Sequence, residues 1–168
     1  VIPGGLINPL KTAEREGLLR KAEIACAITK EALDIGKTLF DKNWADFKKA
    51  GDYKTLYMAL TKQDALEFYD GRVQIINPDG TTLAKFSAQD YMEHIEEKSY
   101  EWTYAKFAYV KALGWPNGIV QVGPTARANV NKKASTNVAN KELKEFKRKF
   151  GSPAYATLIF DYARLIDL

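Results

Sequence analysis

The longest hydrophobic pattern in the chain has the period of an α-helix. Thr12 precedes it and can accept a hydrogen bond from a free N–H of the first turn, whereas Arg15 stands where a full capping box needs Glu or Gln. The pattern predicts a helix over residues 12–42, with a further turn carrying Trp44 and Phe47. Its apolar residues recur at steps of three and four and form one apolar stripe: Leu18, Ala22, Ala25, Ile28, Ala32, Ile35 and Leu39.

The pattern changes to short apolar runs over residues 56–86. Asp70-Gly71 lies between two such runs, 66–69 and 72–76, and Asp-Gly in that position indicates a hairpin. A second turn is predicted at 77–80, because Asn, Pro, Asp and Gly favour turns. The segment is therefore predicted to be an antiparallel meander of three or four strands.

Helical periodicity returns in the second half, with predicted helices over 87–97, 140–150 and 153–168. Ser152 and Pro153 are predicted as the cap and first turn of the last helix. A short strand is expected over 119–122 and a long polar loop over 123–138. The predicted fold class is α+β: several helices with a small antiparallel sheet, as part of a larger subunit fold.

Composition narrows the class of protein. The 168 residues are 46% apolar, enough for one domain with a substantial core. The net charge of +4 is mild, and lysines alternate with glutamates over 141–149, which favours a solvated helix face over a nucleic-acid-binding stripe. No run of 18 apolar residues predicts a membrane helix, and no signal peptide is recognised, so a cytoplasmic location is expected.

Candidate catalytic chemistry is sparse. Metal sites need clustered ligands, and the single cysteine, Cys26, is far in sequence from the single histidine, His94. Cys26 is expected to be buried beside the apolar stripe and His94 to be exposed or capping. Asp64, Glu67 and Asp70 are expected to be solubilising residues on a hairpin rim. No phosphate-binding loop or nucleophile motif occurs, so no catalytic, cofactor-binding or metal residue is predicted.

An aromatic segment allows two interpretations. Stacking on nucleic-acid bases is one, since lysines interleave with the rings. Packing in a core or a subunit interface is the other, and we favour it. The rings are Tyr100, Trp102, Tyr104, Phe107 and Tyr109.

Residues 121–130 contain a Gly-Pro break followed by Arg127 and Asn129. Such an arginine can bind a carboxylate of another segment. We favour this structural role, and the alternative is an arginine near a catalytic centre.

Several motifs resemble a known family. Residues 104–118 read YAKFAYVKALGWPNG and 122–130 read VGPTARANV, similar to the large subunits of soluble, cofactor-linked nickel–iron hydrogenases. Residues 162–167 (YARLID), 1–5 (VIPGG), 53–60 and 68–71 also match in kind and order. The resemblance spans essentially the whole chain.

The resemblance implies a nickel–iron centre that splits or forms dihydrogen, and a partner iron–sulfur small subunit that carries electrons towards NAD(P) or a deazaflavin. It implies two Cys-x-x-Cys pairs, which this chain lacks. Residues 1–168 would be an internal segment between them, inactive alone and packed against the remainder of the large subunit. Because the chain starts without Met and stops within a predicted helix, a longer native polypeptide is expected.

Arg127, Asn129 and Arg164 would then be structural residues or lie just beyond the metal ligands. Thr125, Ala108 and Asp161 depart from the family pattern, which indicates either a divergent member or a tolerant segment. Two other functions are kept as alternatives: a metal-free hydrogenase-like binding or assembly protein, and a nucleic-acid-binding module.

Overall fold

The computed structural model describes residues 8–168, so the matched segment 1–5 and most of the predicted first loop lie outside it. The described residues form an α+β fold, as predicted. The elements in chain order are α1 (Thr12–Phe47), β1 (Leu56–Lys62), β2 (Ala65–Leu66), β3 (Arg72–Ile76), β4 (Thr82–Ser87), α2 (Tyr91–His94), β5 (Ile95–Tyr100), β6 (Thr103–Val110), β7 (Val120–Gln121), α3 (Pro124–Val130), α4 (Asn137–Phe150) and α5 (Ile159–Asp167).

The main sheet is organised around β1. Strand β3 pairs with it antiparallel on one side, and β4 continues antiparallel beyond β3. On the other side, β2 pairs antiparallel with one end of β1 and β7 pairs parallel with the other end. Strands therefore occur over 56–86 and within 119–122 as predicted, but the run 66–69 contributes only Leu66 to a strand. The order β2-β1-β3-β4 and the parallel strand β7 make a mixed sheet instead of the predicted antiparallel meander.

The predicted hairpin at Asp70-Gly71 is wrong, because β2 and β3 are not neighbours in the sheet. The tight turn lies earlier, at Gln63 and Asp64, which both have positive φ. After β2 the carboxylate of Glu67 accepts hydrogen bonds from the N–H groups of the next two residues and bends the chain away. Strand β3 then pairs on the far side of β1.

The two faces of the sheet belong to different cores. Tyr57 and Ala59 of β1 pack with Ala126 and Val130 of α3. The opposite face packs against the hairpin of β5 and β6, through Ile95 and the other buried residues of that core: Leu56, Val73, Ile75, Phe86 and Val110. Helix α3 therefore separates the sheet from a third core formed by α1, α4 and α5.

The predicted helix over 12–42 and the further turn with Trp44 and Phe47 form one continuous helix, α1, which buries a different face from the one predicted. It begins after Lys11, whose N–H donates to the Glu14 carboxylate at 2.9 Å, so Thr12 is not the cap. It continues to Phe47 because Phe40, Trp44 and Phe47 pack against the helical core. Leu33 and Phe40 are its buried residues, whereas the apolar stripe is mostly exposed, from 50% at Leu18 to 66% at Ile35.

The other predicted helices need three corrections. The helix predicted over 87–97 contains a short 3-10 turn and the four-residue α2, because Ile95 enters a strand and pairs with Val110. Helix α4 starts before residue 140, since the Thr136 hydroxyl accepts a hydrogen bond from the N–H of Ala139 at 3.2 Å. The predicted polar loop 123–138 contains the buried helix α3.

The last helix also starts later than predicted. Helix α5 begins at Ile159, and Ser152-Pro153 belongs to the preceding loop. The backbone of Ala154 cannot join a helix there because both its N–H and its C=O bind the side chain of Asn129. A tertiary contact therefore overrides the local capping signal.

Candidate functional site

Helix α3 carries two of the predicted site residues into the centre of the molecule. Gly123 precedes it with φ of +92°, a conformation that side chains rarely adopt, and Pro124 occupies its first turn. Six of its seven residues are buried; only Arg127 retains partial exposure. The Gly-Pro break is thus the start of a buried helix that presents Arg127 and Asn129 in fixed directions.

Arg127 binds a carboxylate from the end of α5. Its Nε and Nη2 donate to the same oxygen of Asp167, at 2.9 and 2.6 Å. The guanidinium also lies 5.1 Å from the ring centre of Phe68. Asp167 has an exposed side-chain fraction of only 7%, and burial raises the pKa of this carboxyl although the hydrogen bonds from Arg127 oppose the rise.

Asn129 binds the chain on the opposite side of α3. Its Nδ2 donates to the carbonyl oxygen of Ala154, and its Oδ1 accepts from the N–H of the same residue, both at 2.9 Å. Ala154 is fully buried and Asn129 is 6% exposed, so water cannot replace these bonds. This side chain holds the loop between α4 and α5.

Arg164 shares no hydrogen bond with the contacts of Arg127 and Asn129 in the described residues, although its charge opposes the raised pKa of Asp167, the partner of Arg127. It is exposed on α5, and its guanidinium lies 4.7 Å from the ring centre of Phe160. Thr125, where the resemblance expects a leucine, is buried with a hydroxyl that finds no hydrogen-bond partner among residues 8–168. A role for these residues near a catalytic centre stays a prediction.

The donors needed for a nickel–iron centre do not fit this part of the chain. Within the described residues, no group of three or more His, Cys, Asp or Glu side chains could hold a metal ion. Cys26 is exposed on α1, so its predicted burial is wrong. His94 is half-buried and stacks on Phe86 with ring centres 3.9 Å apart, rather than being exposed or capping.

The three carboxylates of the predicted hairpin rim do not converge. Asp64 accepts from Lys132 at 2.9 Å and Asp70 accepts from Lys62 at 2.6 Å. Glu67 binds backbone N–H groups. Each therefore has a local structural partner, which leaves no paired-carboxylate site here.

The aromatic segment forms a cluster on the hairpin of β5 and β6. Tyr100 stacks on Trp102 at 5.5 Å between ring centres, and Phe107 lies 6.0 Å from Trp115. Trp102 is 74% exposed, and Tyr104 is fully exposed on the other side of the strand. Most of these rings therefore pack on each other, while two remain available to solvent.

Replacing Arg127 with methionine should lower the free energy of unfolding by about 1–3 kcal/mol at neutral pH, because a buried carboxylate loses its partner. Since the folded-state pKa of Asp167 is already raised, the stability that this group contributes falls as pH rises through that pKa. Loss of Arg127 raises the pKa further, so the electrostatic part of the deficit should vanish once pH falls below about 3.9, the ordinary Asp value. Thermal unfolding from neutral pH to below that value measures the change in the deficit.

The matched control is the same substitution in an Asp167→Asn background. There the carboxylate is absent, so Arg127→Met should cost less and its cost should not change with pH. An equal, pH-independent loss in both backgrounds would show that Arg127 acts only through packing on Phe68.

Comparison with known proteins shows which class of protein shares this fold. No protein-family model matches the sequence. The fold is that of a hydrogenase subunit: it superposes on the crystal structure of an NAD⁺-reducing [NiFe]-hydrogenase in the H₂-reduced state with a TM-score of 0.90 and 30% identity. The match covers 99% of this chain and 38% of that one.

Sequence relatives agree with this class. The chain is 34% identical over 167 residues to the A-type subunit of the vhu F420-non-reducing hydrogenase of Methanocaldococcus jannaschii, covering 99% of this chain and 40% of that protein. It is 33% identical over 175 residues to the beta subunit of the NAD-reducing hydrogenase HoxS of Cupriavidus necator, covering 99% and 36%. The chain thus spans less than half the length of these relatives.

These names correct one prediction. The resemblance assigned the chain to a large (alpha) subunit, and this assignment is wrong, since the relatives carry the designations A and beta. What stands is that 99% of the chain is similar in sequence and fold to subunits of hydrogenases. No helix among residues 8–168 is long and apolar enough to cross a membrane.

Proposed function

We propose that this chain is a structural segment of a longer hydrogenase subunit of the A or beta type. The observation that carries the proposal is the superposition of 99% of the chain on 38% of a [NiFe]-hydrogenase chain. A match that is complete on one side and partial on the other is what a segment of a larger polypeptide would produce.

In this proposal the longer polypeptide takes part in dihydrogen oxidation or proton reduction, and this segment contributes no metal ligand. The nickel–iron centre would be held by residues outside the described part of the chain, since the donors here do not form a ligand set. The proposed role of the segment is structural: its side chains fix the positions of its helices and loops. Arg127 ties α3 to α5, and Asn129 ties α3 to the preceding loop.

The proposal also gives the segment two kinds of partner. The first is the remainder of its own polypeptide, and the second is the set of other subunits of a hydrogenase complex, including one that carries iron–sulfur clusters. Support for both is the naming of the relatives as subunits of hydrogenases. The alternative is a metal-free binding or assembly protein, and the test must distinguish it from a segment of a hydrogenase subunit.

The test compares the native gene product with the 168-residue chain alone. We expect the native product to be a longer polypeptide that purifies with nickel and iron and reduces an electron-accepting dye under dihydrogen, whereas the short chain should show neither metal nor activity. Metal analysis and the dye assay on both samples measure this. A native polypeptide without nickel, iron or dihydrogen-dependent activity would instead favour the binding or assembly protein.

A further inference from the structure

Helix α1 presents two apolar faces, and residues 8–168 cover only one of them. The covered face carries Leu33 and Phe40, which pack against α4 and α5. The apolar stripe lies on a neighbouring face of the same helix and remains exposed, at 61% for Ile28, 66% for Ile35 and 52% for Leu39. A helix that is apolar over so much of its circumference is normally buried.

The exposed stripe is suited to packing against another helix. Between Ala25 and Leu39 the residues of the stripe follow one another at alternating intervals of three and four. Small and large side chains alternate along it, in the order Ala25, Ile28, Ala32 and Ile35. Small residues next to large ones create grooves and ridges, and the ridges of one helix pack into the grooves of another. At 1.5 Å per residue, this part of the stripe extends for about 21 Å, the length of a helix of about 14 residues.

A second uncovered surface lies on another side of the same helix. An apolar groove of about 540 Å³ separates Cys26 and Lys30 of α1 from Val138 of α4 and from Leu165 and Leu168 at the end of the chain. The described part of the chain therefore leaves the middle of α1 uncovered on two sides. The relatives extend well beyond the segment shared with this chain, and an extension of that size can cover both surfaces.

We propose that the apolar stripe is the docking surface for an apolar α-helix contributed by the remaining part of the same polypeptide. This rests on the proposed function, because the relatives are more than twice as long as the segment they share with this chain. The partner helix is identified by its chemistry: about 14 residues long, with an apolar face and no charge opposite Ile28 and Ile35.

The test measures cysteine labelling in the full-length polypeptide. Ile28→Cys lies on the stripe, and Glu31→Cys is the matched control because it is exposed on the same helix outside both the stripe and the groove. Maleimide labelling at each position is followed by mass spectrometry of peptides, which separates it from labelling at other cysteines. We expect position 28 to label at least about tenfold more slowly than position 31.

Equal labelling at positions 28 and 31 in the full-length polypeptide would overturn the proposal. Protection that disappears on dilution would also overturn it, because it would show that a second copy covers the stripe. Ile35→Cys provides a second probe if Ile28→Cys does not fold. Dihydrogen-dependent activity is measured separately, so an inactive polypeptide with a protected position 28 contradicts the proposed function and supports the docking surface.

Discussion

Truncation of Phe146 to alanine is expected to lower the free energy of unfolding by about 3–5 kcal/mol, because it leaves a cavity at a fully buried position. The Phe146 ring contacts Phe150 at 5.1 Å and Tyr162 at 5.8 Å between ring centres. Phe40 of α1 also lies 5.5 Å from Tyr162, so the cluster joins α1, α4 and α5. Denaturant unfolding of the purified protein, before and after the substitution, measures the loss.

Tyr162→Phe is the matched control within the same aromatic cluster. The Tyr162 hydroxyl is buried without a hydrogen-bond partner among residues 8–168, and burial raises its pKa to about 12. Removing an unsatisfied buried hydroxyl should leave stability unchanged or raise it by up to about 1 kcal/mol. A loss below about 1 kcal/mol for Phe146→Ala would mean that the cluster closes around the cavity and that packing there is loose.

The second large effect is expected for Asn129→Ala, at about 2–4 kcal/mol of lost stability. The substitution removes both hydrogen bonds to Ala154 and leaves a buried N–H and a buried C=O without partners. The loop before α5 should then lose its fixed position, so the N–H groups near residue 154 should exchange with solvent faster. Denaturant unfolding and amide hydrogen exchange measure the two consequences.

Asn43→Ala is the control for this prediction. Asn43 donates one hydrogen bond to the carbonyl oxygen of Leu39 on a solvent-accessible part of α1, where water can replace it. Its loss should therefore cost less than about 1 kcal/mol. If Asn129→Ala costs no more than Asn43→Ala, the contacts of Asn129 with Ala154 do not fix the loop.

Ion pairs reinforce the same arrangement of helices. Lys37 of α1 donates to Glu142 and, at 3.0 Å, to Glu145 of α4. Burial opposes the charge of Lys37, but these two carboxylates outweigh it and raise the pKa of the lysine. The C-terminal half of α1 is thus tied to α4 by charge and by aromatic packing, while its N-terminal half lacks both kinds of contact within the described residues.

Elements with a local signal were predictable from the sequence. The strands over 56–86 alternate or form short apolar runs between turn residues, and α4 has an apolar face at helical spacing. Helix α3 was missed because Thr125, Arg127 and Asn129 make its sequence look polar, although the first and last of these are buried. No apolar stripe at helical spacing therefore marks it, and the sequence reads as a polar loop. Its only local signal was the Gly-Pro start, which is typical of both loops and helix first turns.

The candidate site was predictable in part. That Arg127 would bind a carboxylate followed from its position after a Gly-Pro break, but the identity of Asp167, 40 residues later, did not. The resemblance named Asn129 as a candidate structural residue, but the sequence did not reveal its partner, which is a backbone group of a distant loop. Any residue type can provide the backbone N–H and C=O groups that a remote side chain binds. The sequence at such a partner position therefore shows no pattern that would predict the contact.

The helical period of α1 follows from the sequence alone, because the spacing of apolar residues at three and four depends only on 3.6 residues per turn. Which apolar face is buried depends instead on the tertiary structure. Leu33 and Phe40 are covered because α4 and α5 lie against them, and Ile28 and Ile35 are not, although their spacing is equally regular. Burial depends on which surfaces meet in space, and no local pattern records the position of a neighbouring helix.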